Sequence, residues 1–137
     1  MTNAPAHIAV EKSAVLAGLA SYLLLVVAFP VLLALAVSFG PVEWPAVFLG
    51  PFKRYEFVLL VVVGGVTALR SHNAPLRNTL FVGLIGGLGM FVLAFAVEAS
   101  PQLGFVSAVF EYVVLSVAWC SAGAIGATLL RGNRRAL

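Results

Sequence analysis

Four long apolar runs alternate with short segments that carry most of the charged and turn-forming residues of the chain. The runs cover residues 13–38, 55–69, 79–97 and 105–130. An α-helix rises 1.5 Å per residue, so about 20 mostly apolar residues cross a hydrocarbon core of ~30 Å. The pattern therefore predicts an all-α integral membrane protein. Its four transmembrane helices should pack as a bundle, in one polytopic domain over residues 1–137.

The composition excludes a soluble domain. Hydrophobic residues make up 62% of the 137 residues and charged residues only 9%, whereas a typical soluble domain has about 25% charged residues. The basic residues flank the apolar runs and form no stripe with interleaved aromatic residues, which excludes nucleic acid as a partner. They are Lys12, Lys53, Arg54, Arg70, Arg77, Arg131, Arg134 and Arg135.

The orientation of a membrane protein follows the positive charges in its short loops. With the N-terminus inside, six of the eight basic residues lie on the inner side, and only Lys53 and Arg54 lie outside. The distribution predicts that both termini are cytoplasmic, in the inner membrane of a bacterium. The first run is longer than the apolar region of a signal peptide, which has about 7–15 residues, so we expect a retained helix.

The segment Phe39–Arg54 is too apolar for an open loop. Pro41, Pro45 and Pro51 predict that no regular helix passes through it. Its aromatic side chains favour a position in the outer membrane interface. A re-entrant segment that lines a cavity is the alternative, although nothing in it resembles a selectivity filter.

Small residues recur at helical spacing in the last two runs. Gly83 and Gly87 share one face of the third run, and Ala118, Ala122 and Gly126 share one face of the fourth. Membrane helices associate where small side chains allow close approach of their backbones. These faces predict either packing within the chain or contact with a second copy or a larger membrane complex.

Three glutamates lie near the ends of the apolar runs. Counting from the arginines at the inner ends places Glu111 about 30 Å from Arg131 and Glu98 about 31 Å from Arg77, which is the outer membrane boundary. Glu56 lies about 21 Å from Arg70, somewhat deeper. By α-helical spacing Glu111 shares the face of Ala118 and Ala122, and it should point into the bundle.

These positions predict a cluster at the outer helix ends, formed by Lys53, Arg54, Glu56, Glu98 and Glu111, with Tyr55 and Tyr112 beside it. One interpretation is an interfacial network of ion pairs that holds the helix ends. The other is a protonatable acid at the mouth of a cavity that binds a cation or a proton. The estimated depth favours the first interpretation, because the cost of a charge falls towards the interface.

No catalytic or cofactor motif is present in the sequence. His7, His72 and Cys120 are too far apart in the predicted topology to form a metal site, and no phosphate-binding glycine motif occurs. We therefore expect a non-enzymatic protein without cofactor or metal. The expected role is that of an accessory or structural subunit, which packs with itself or with a larger complex through its small-residue faces. A small oligomeric transporter or channel that uses the outer acidic cluster is the alternative.

Overall fold

A computed structural model describes residues 10–40, 44–96 and 104–133, and side chains at 10–40, 56–96 and 104–132. These residues form helices and short connections, and they contain no strand. We number the helices in chain order as α1 (Lys12–Ser38), α2 (Trp44–Arg70), α3 (Pro75–Ala96) and α4 (105–133). Two of the helices contain a π-helical segment, which is Leu23–Ala28 in α1 and Phe110–Val114 in α4.

Within the described ranges, three helices are long and apolar enough to cross a membrane. They are Lys12–Ser38, Pro75–Ala96 and Phe105–Gly132. Many large apolar side chains on their outer surfaces are exposed, among them Leu16, Val92 and Leu129. An apolar surface of this extent is compatible with contact to lipid.

The prediction that prolines exclude a helix before Arg54 is wrong for residues 44–54. Helix α2 begins at Trp44 and continues for 27 residues to Arg70. Pro45 is the second residue of this helix, where a backbone N–H has no partner within the helix and its loss is tolerated. Pro51 removes one further N–H, and the long apolar helix continues through it. Pro41 lies outside the described residues.

Helix α2 packs against each of the other three helices, most extensively against α4. The two helices approach most closely where Gly64 lies on the backbone of Cys120 and Gly123 lies on the backbone of Val61. Around this crossing lies a buried cluster of apolar side chains, which consists of Tyr22, Val26, Leu60, Val63, Val82 and Cys120.

The small residues of α3 and α4 have different environments. Gly83 and Gly87 of α3 are buried against the backbone of α4. The small residues of α4 are exposed, and these are Ala118, Ala122 and Gly126. The prediction that they form a packing face is therefore wrong for packing within the single chain. The buried face of α4 instead carries Val113, Ser116, Cys120, Gly123 and Ala127.

The π-helical segment Phe110–Val114 changes the helical register between Glu111 and the small residues that follow it. Its i→i+5 hydrogen bonds place more residues in one turn than an α-helix has, which shifts the faces on its two sides relative to each other. Counting in α-helical steps from Glu111 therefore leads to Ala118 and Ala122, although these residues lie on another face of α4. The side chain of Glu111 itself is half-buried.

Candidate functional site

A cavity of about 150 Å³ lies between the helices, and it reaches from the middle of the bundle away from Arg70, Arg77 and Arg131. Helix α2 contributes Glu56 to its wall, and α4 contributes Glu111. We call this space the glutamate cavity. Its lining consists of Tyr22, Glu56, Phe57, Leu60, Met90, Glu111, Tyr112, Leu115, Ser116 and Trp119.

The structure brings together part of the cluster predicted from sequence. Glu56, Glu111 and Tyr112 line the same cavity, although they come from different helices. The remaining members lie outside the described residues or have side chains outside them. These are Lys53, Arg54, Tyr55 and Glu98.

A buried polar contact forms the floor of the glutamate cavity. The hydroxyl oxygens of Tyr22 and Ser116 are 3.0 Å apart and share a hydrogen bond, and both residues are only 4% exposed. One turn further along α2 and α4, the backbones of Gly64 and Cys120 are in contact and close the seam between the two helices. Both contacts lie on the side of the cavity that faces the arginines.

The side wall of the cavity is aromatic. The ring centroids of Phe57 and Trp119 are 5.1 Å apart, and the two rings are tilted by 41°. Aromatic faces attract cations through the ring quadrupole, and carboxylates attract them directly. A small cavity that combines both groups is suited to a positively charged ligand or to a proton.

One of the two π-helical segments contributes residues to the glutamate cavity, and the other begins next to a residue of its lining. Phe110–Val114 contains Glu111 and Tyr112, and Leu23–Ala28 begins at the residue after Tyr22. Single π-turns inside α-helices occur frequently at functional sites, because they turn side chains away from the regular helical face. Here the π-helical segment of α4 carries Glu111 and Tyr112, which both line the cavity.

A second polar site lies at the opposite end of the bundle. The carboxylate of Glu11 accepts hydrogen bonds from the backbone N–H of Asn73 at 2.7 Å, the backbone N–H of His72 at 2.8 Å and the hydroxyl of Ser71 at 3.1 Å. These bonds attach the start of α1 to the loop between α2 and α3. We call this arrangement the Glu11 junction.

Two further side chains complete the Glu11 junction. Asn78 is fully buried; its side-chain amide donates to the hydroxyl of Ser71 at 2.7 Å, and its carbonyl oxygen accepts the N–H of Glu11 at 3.2 Å. The guanidinium of Arg131 donates to the backbone carbonyl of Ser71 at 3.1 Å. All four helices therefore meet at this junction. It could not be found from the sequence, because Glu11 and Asn78 are isolated polar residues without a recognisable motif.

The Glu11 junction predicts a pH dependence of stability. The N–H groups of Asn73 and then of His72 stabilise the carboxylate and lower the pKa of Glu11 from 4.5 to about 2. A carboxyl group whose pKa is lowered by folding stabilises the folded state. This contribution is fully present at a pH above the pKa of the unfolded chain, and it is lost as the pH falls towards the pKa of the folded protein. The contribution of Glu11 should therefore be lost progressively between pH 4.5 and about 2.

The variant Glu11→Gln tests this prediction, because it removes the titrating group and keeps the side-chain shape. Thermal unfolding in detergent should show a smaller loss of stability for the variant than for the wild type as the pH falls from 4.5 towards 2. At neutral pH the variant should unfold at a lower temperature. Parallel pH curves for the two proteins would contradict the prediction.

Comparisons with known proteins return no match, whether to protein-family models, to curated proteins or to solved structures. Within the described ranges, no group of three or more His, Cys, Asp or Glu side chains is placed to hold a metal ion. The glutamate cavity and the Glu11 junction are therefore the features from which a function can be inferred.

Proposed function

We propose that the chain crosses a bacterial cytoplasmic membrane four times, with both termini on the cytoplasmic side. Among the described residues, three helices are apolar enough to span a membrane, and α2, a helix of 27 residues, packs against all three. Arg70, Arg77 and Arg131 lie at the same end of this bundle, which is the distribution expected for a cytoplasmic side.

The glutamate cavity is the proposed site of function, and it binds a proton or a small cation during transport across the membrane. The observation that carries this proposal is the presence of Glu56 and Glu111 in one cavity between membrane helices. Acidic side chains inside a bundle of this kind mark ion or proton pathways in many membrane proteins.

The cavity supports transport better than the accessory role expected from the sequence. That role depended on two small-residue faces available to a partner, and one of them, the face of Gly83 and Gly87, is already buried against α4. A carboxylate has about four acceptor positions, so a glutamate that is hydrogen-bonded within the bundle can still contact a cation. Its neighbours Trp119 and Phe57 add aromatic faces to the same wall.

The floor of the cavity suggests which contacts must change during transport. The bond between Tyr22 and Ser116 and the backbone contact of Gly64 with Cys120 lie between the cavity and the arginine end. In the proposed cycle these contacts separate transiently, and the bound ion moves past them. Alternating exposure of one central site is the usual principle of secondary transporters.

Ion flux in proteoliposomes tests the proposal. The purified chain is reconstituted, a membrane potential is imposed, and internal H⁺, Na⁺ and K⁺ are followed with fluorescent indicators. We expect flux of one of these ions above that of protein-free liposomes prepared in the same way. Equal flux in the two preparations, for H⁺, Na⁺ and K⁺ alike, would refute the transport function.

A second candidate function is contact with another membrane subunit, and the exposed face of α4 favours it. Ala118, Ala122 and Gly126 are exposed there, and nothing lies within 4 Å of a Cβ placed on Gly126. Close approach of a helix from a second copy or a larger complex is possible at such a face. Purification in a mild detergent should then yield a stoichiometric partner or a homo-oligomer, and recovery of a lone monomer would contradict this role.

A further inference from the structure

A second cavity, of about 330 Å³, lies beside the Glu11 junction at the arginine end of the bundle. The loop between α2 and α3 forms one wall, and the last turn of α4 forms the other. We call it the Arg131 cavity. Its lining consists of Ser71, His72, Pro75, Thr128, Arg131 and Gly132.

The position of the Arg131 cavity corresponds to the headgroup layer of a membrane. Two candidate spans have one terminus in the cavity wall. Helix α3 begins at Pro75, and the apolar part of α4 ends at Gly132. The third candidate span begins at Lys12, and the residue before it, Glu11, is hydrogen-bonded to the same loop. This location holds for either orientation of the chain in the bilayer.

Arg131 is held in a position that suits an anionic ligand. One of its guanidinium nitrogens donates to the carbonyl of Ser71 at 3.1 Å, which fixes the group at the cavity wall. A guanidinium has five N–H donors in a planar fork that matches the oxygens of a phosphate group. A single bond to Ser71 therefore leaves the guanidinium with donors that can contact a phosphate.

Positive charge predominates around the cavity. Among the described side chains at this end, Lys12, Arg70, Arg77 and Arg131 are basic and Glu11 is acidic. The carboxylate of Glu11 is directed to the loop N–H groups, which are its hydrogen-bond donors. The cavity therefore lies in a net positive field next to the membrane surface.

We infer that the Arg131 cavity binds the phosphodiester headgroup of an anionic phospholipid. Basic pockets between helix ends are a known mode of anionic lipid recognition. Arg131 would contact the phosphate oxygens, and the N-terminal end of α3 at Pro75 adds a favourable helix dipole. The inference does not depend on transport through the glutamate cavity.

Native mass spectrometry of the full-length protein in detergent tests the inference. The protein is titrated with phosphatidylglycerol and, in parallel, with phosphatidylcholine of the same acyl chains. We expect phosphatidylglycerol to bind more tightly, and Arg131→Gln to weaken its binding by about fivefold, the effect of one basic residue near an anionic surface. Arg70→Gln is the matched control, because Arg70 is an exposed basic residue at the same end that does not line the cavity.

Two further measurements distinguish a shaped lipid site from a general attraction between anions and the basic end of the bundle. Thr128→Leu keeps every charge and enlarges a side chain in the cavity wall, so it should also weaken binding, even if Arg131→Gln fails to fold. Inorganic phosphate in excess should not displace the lipid. Equal effects of Arg131→Gln and Arg70→Gln, unchanged binding in Thr128→Leu, equal binding of the two lipids, or displacement by phosphate would each overturn the proposal.

Discussion

Replacement of Gly64 by alanine should destabilise the bundle by about 1–3 kcal/mol or more, which is the cost of inserting a methyl group into a well-packed core. A Cβ at this position would overlap the backbone carbonyl of Cys120 and would lie 2.8 Å from its Cα atom. Backbone atoms cannot rotate away as a flexible side chain can, so α2 and α4 would have to separate. Thermal unfolding in detergent measures the loss.

The neighbouring Gly65 provides the matched control. The nearest atom to a Cβ on Gly65 is the carbonyl oxygen of Gly123 at 3.8 Å, an ordinary contact. Alanine also favours a helix over glycine by about 1 kcal/mol. Gly65→Ala should therefore leave the unfolding temperature unchanged or raise it. The close packing of α2 on α4 would be contradicted if both variants lost stability equally.

Glu111→Gln and Glu56→Gln should reduce the ion flux of reconstituted protein by about tenfold or more, since a charge-assisted contact contributes ~1.5–3 kcal/mol. Glutamine has nearly the shape of glutamate and can still accept a hydrogen bond, but it binds neither a proton nor a cation as a carboxylate does. The flux assay with an imposed membrane potential measures the change. Unfolding temperatures near that of the wild type would show that the fold is retained.

Two control variants make the result specific to the glutamate cavity. Glu11→Gln removes the same charge at the opposite end of the bundle and should retain flux per folded molecule. Glu56→Asp keeps the carboxylate and should restore part of the flux that Glu56→Gln loses. Wild-type flux in both cavity variants, alongside a functional wild type, would show that transport uses another path.

The apolar runs of the sequence predicted the helices well, because the period and length of an apolar segment depend on local residues alone. The third run contains Gly83 and Gly87 at helical spacing, and both glycines are buried against α4. No π-helical segment is assigned to α3, so counting in α-helical steps identified its packing face correctly.

The start of α2 shows the limit of proline as a signal. Pro45 and Pro51 are compatible with a helix that begins at Trp44. One proline lies in the first turn, where the missing N–H has no cost, and the other removes a single bond. Composition does not distinguish this arrangement from a broken interfacial segment.

The candidate site was predictable only in part. The helix length between Arg131 and Glu111 placed Glu111 near the outer end of its helix. In the structure, Glu111 and Glu56 line the same cavity. The floor of this cavity was not predictable, because Tyr22 and Ser116 are 94 residues apart in the chain. Neither residue belongs to a motif, and only the packing of the helices brings their hydroxyl groups together.

The sequence by itself determined that this protein is helical and has apolar helices that suit a membrane, because hydrophobicity and helix length are properties of each segment. The tertiary structure decided which faces meet. Ala118 and Ala122 lie on the exposed side of α4, and hydrogen bonds between residues 60 or more positions apart in the sequence join Glu11 to the loop after α2. Such contacts depend on how helices cross in space, a property that no single segment contains.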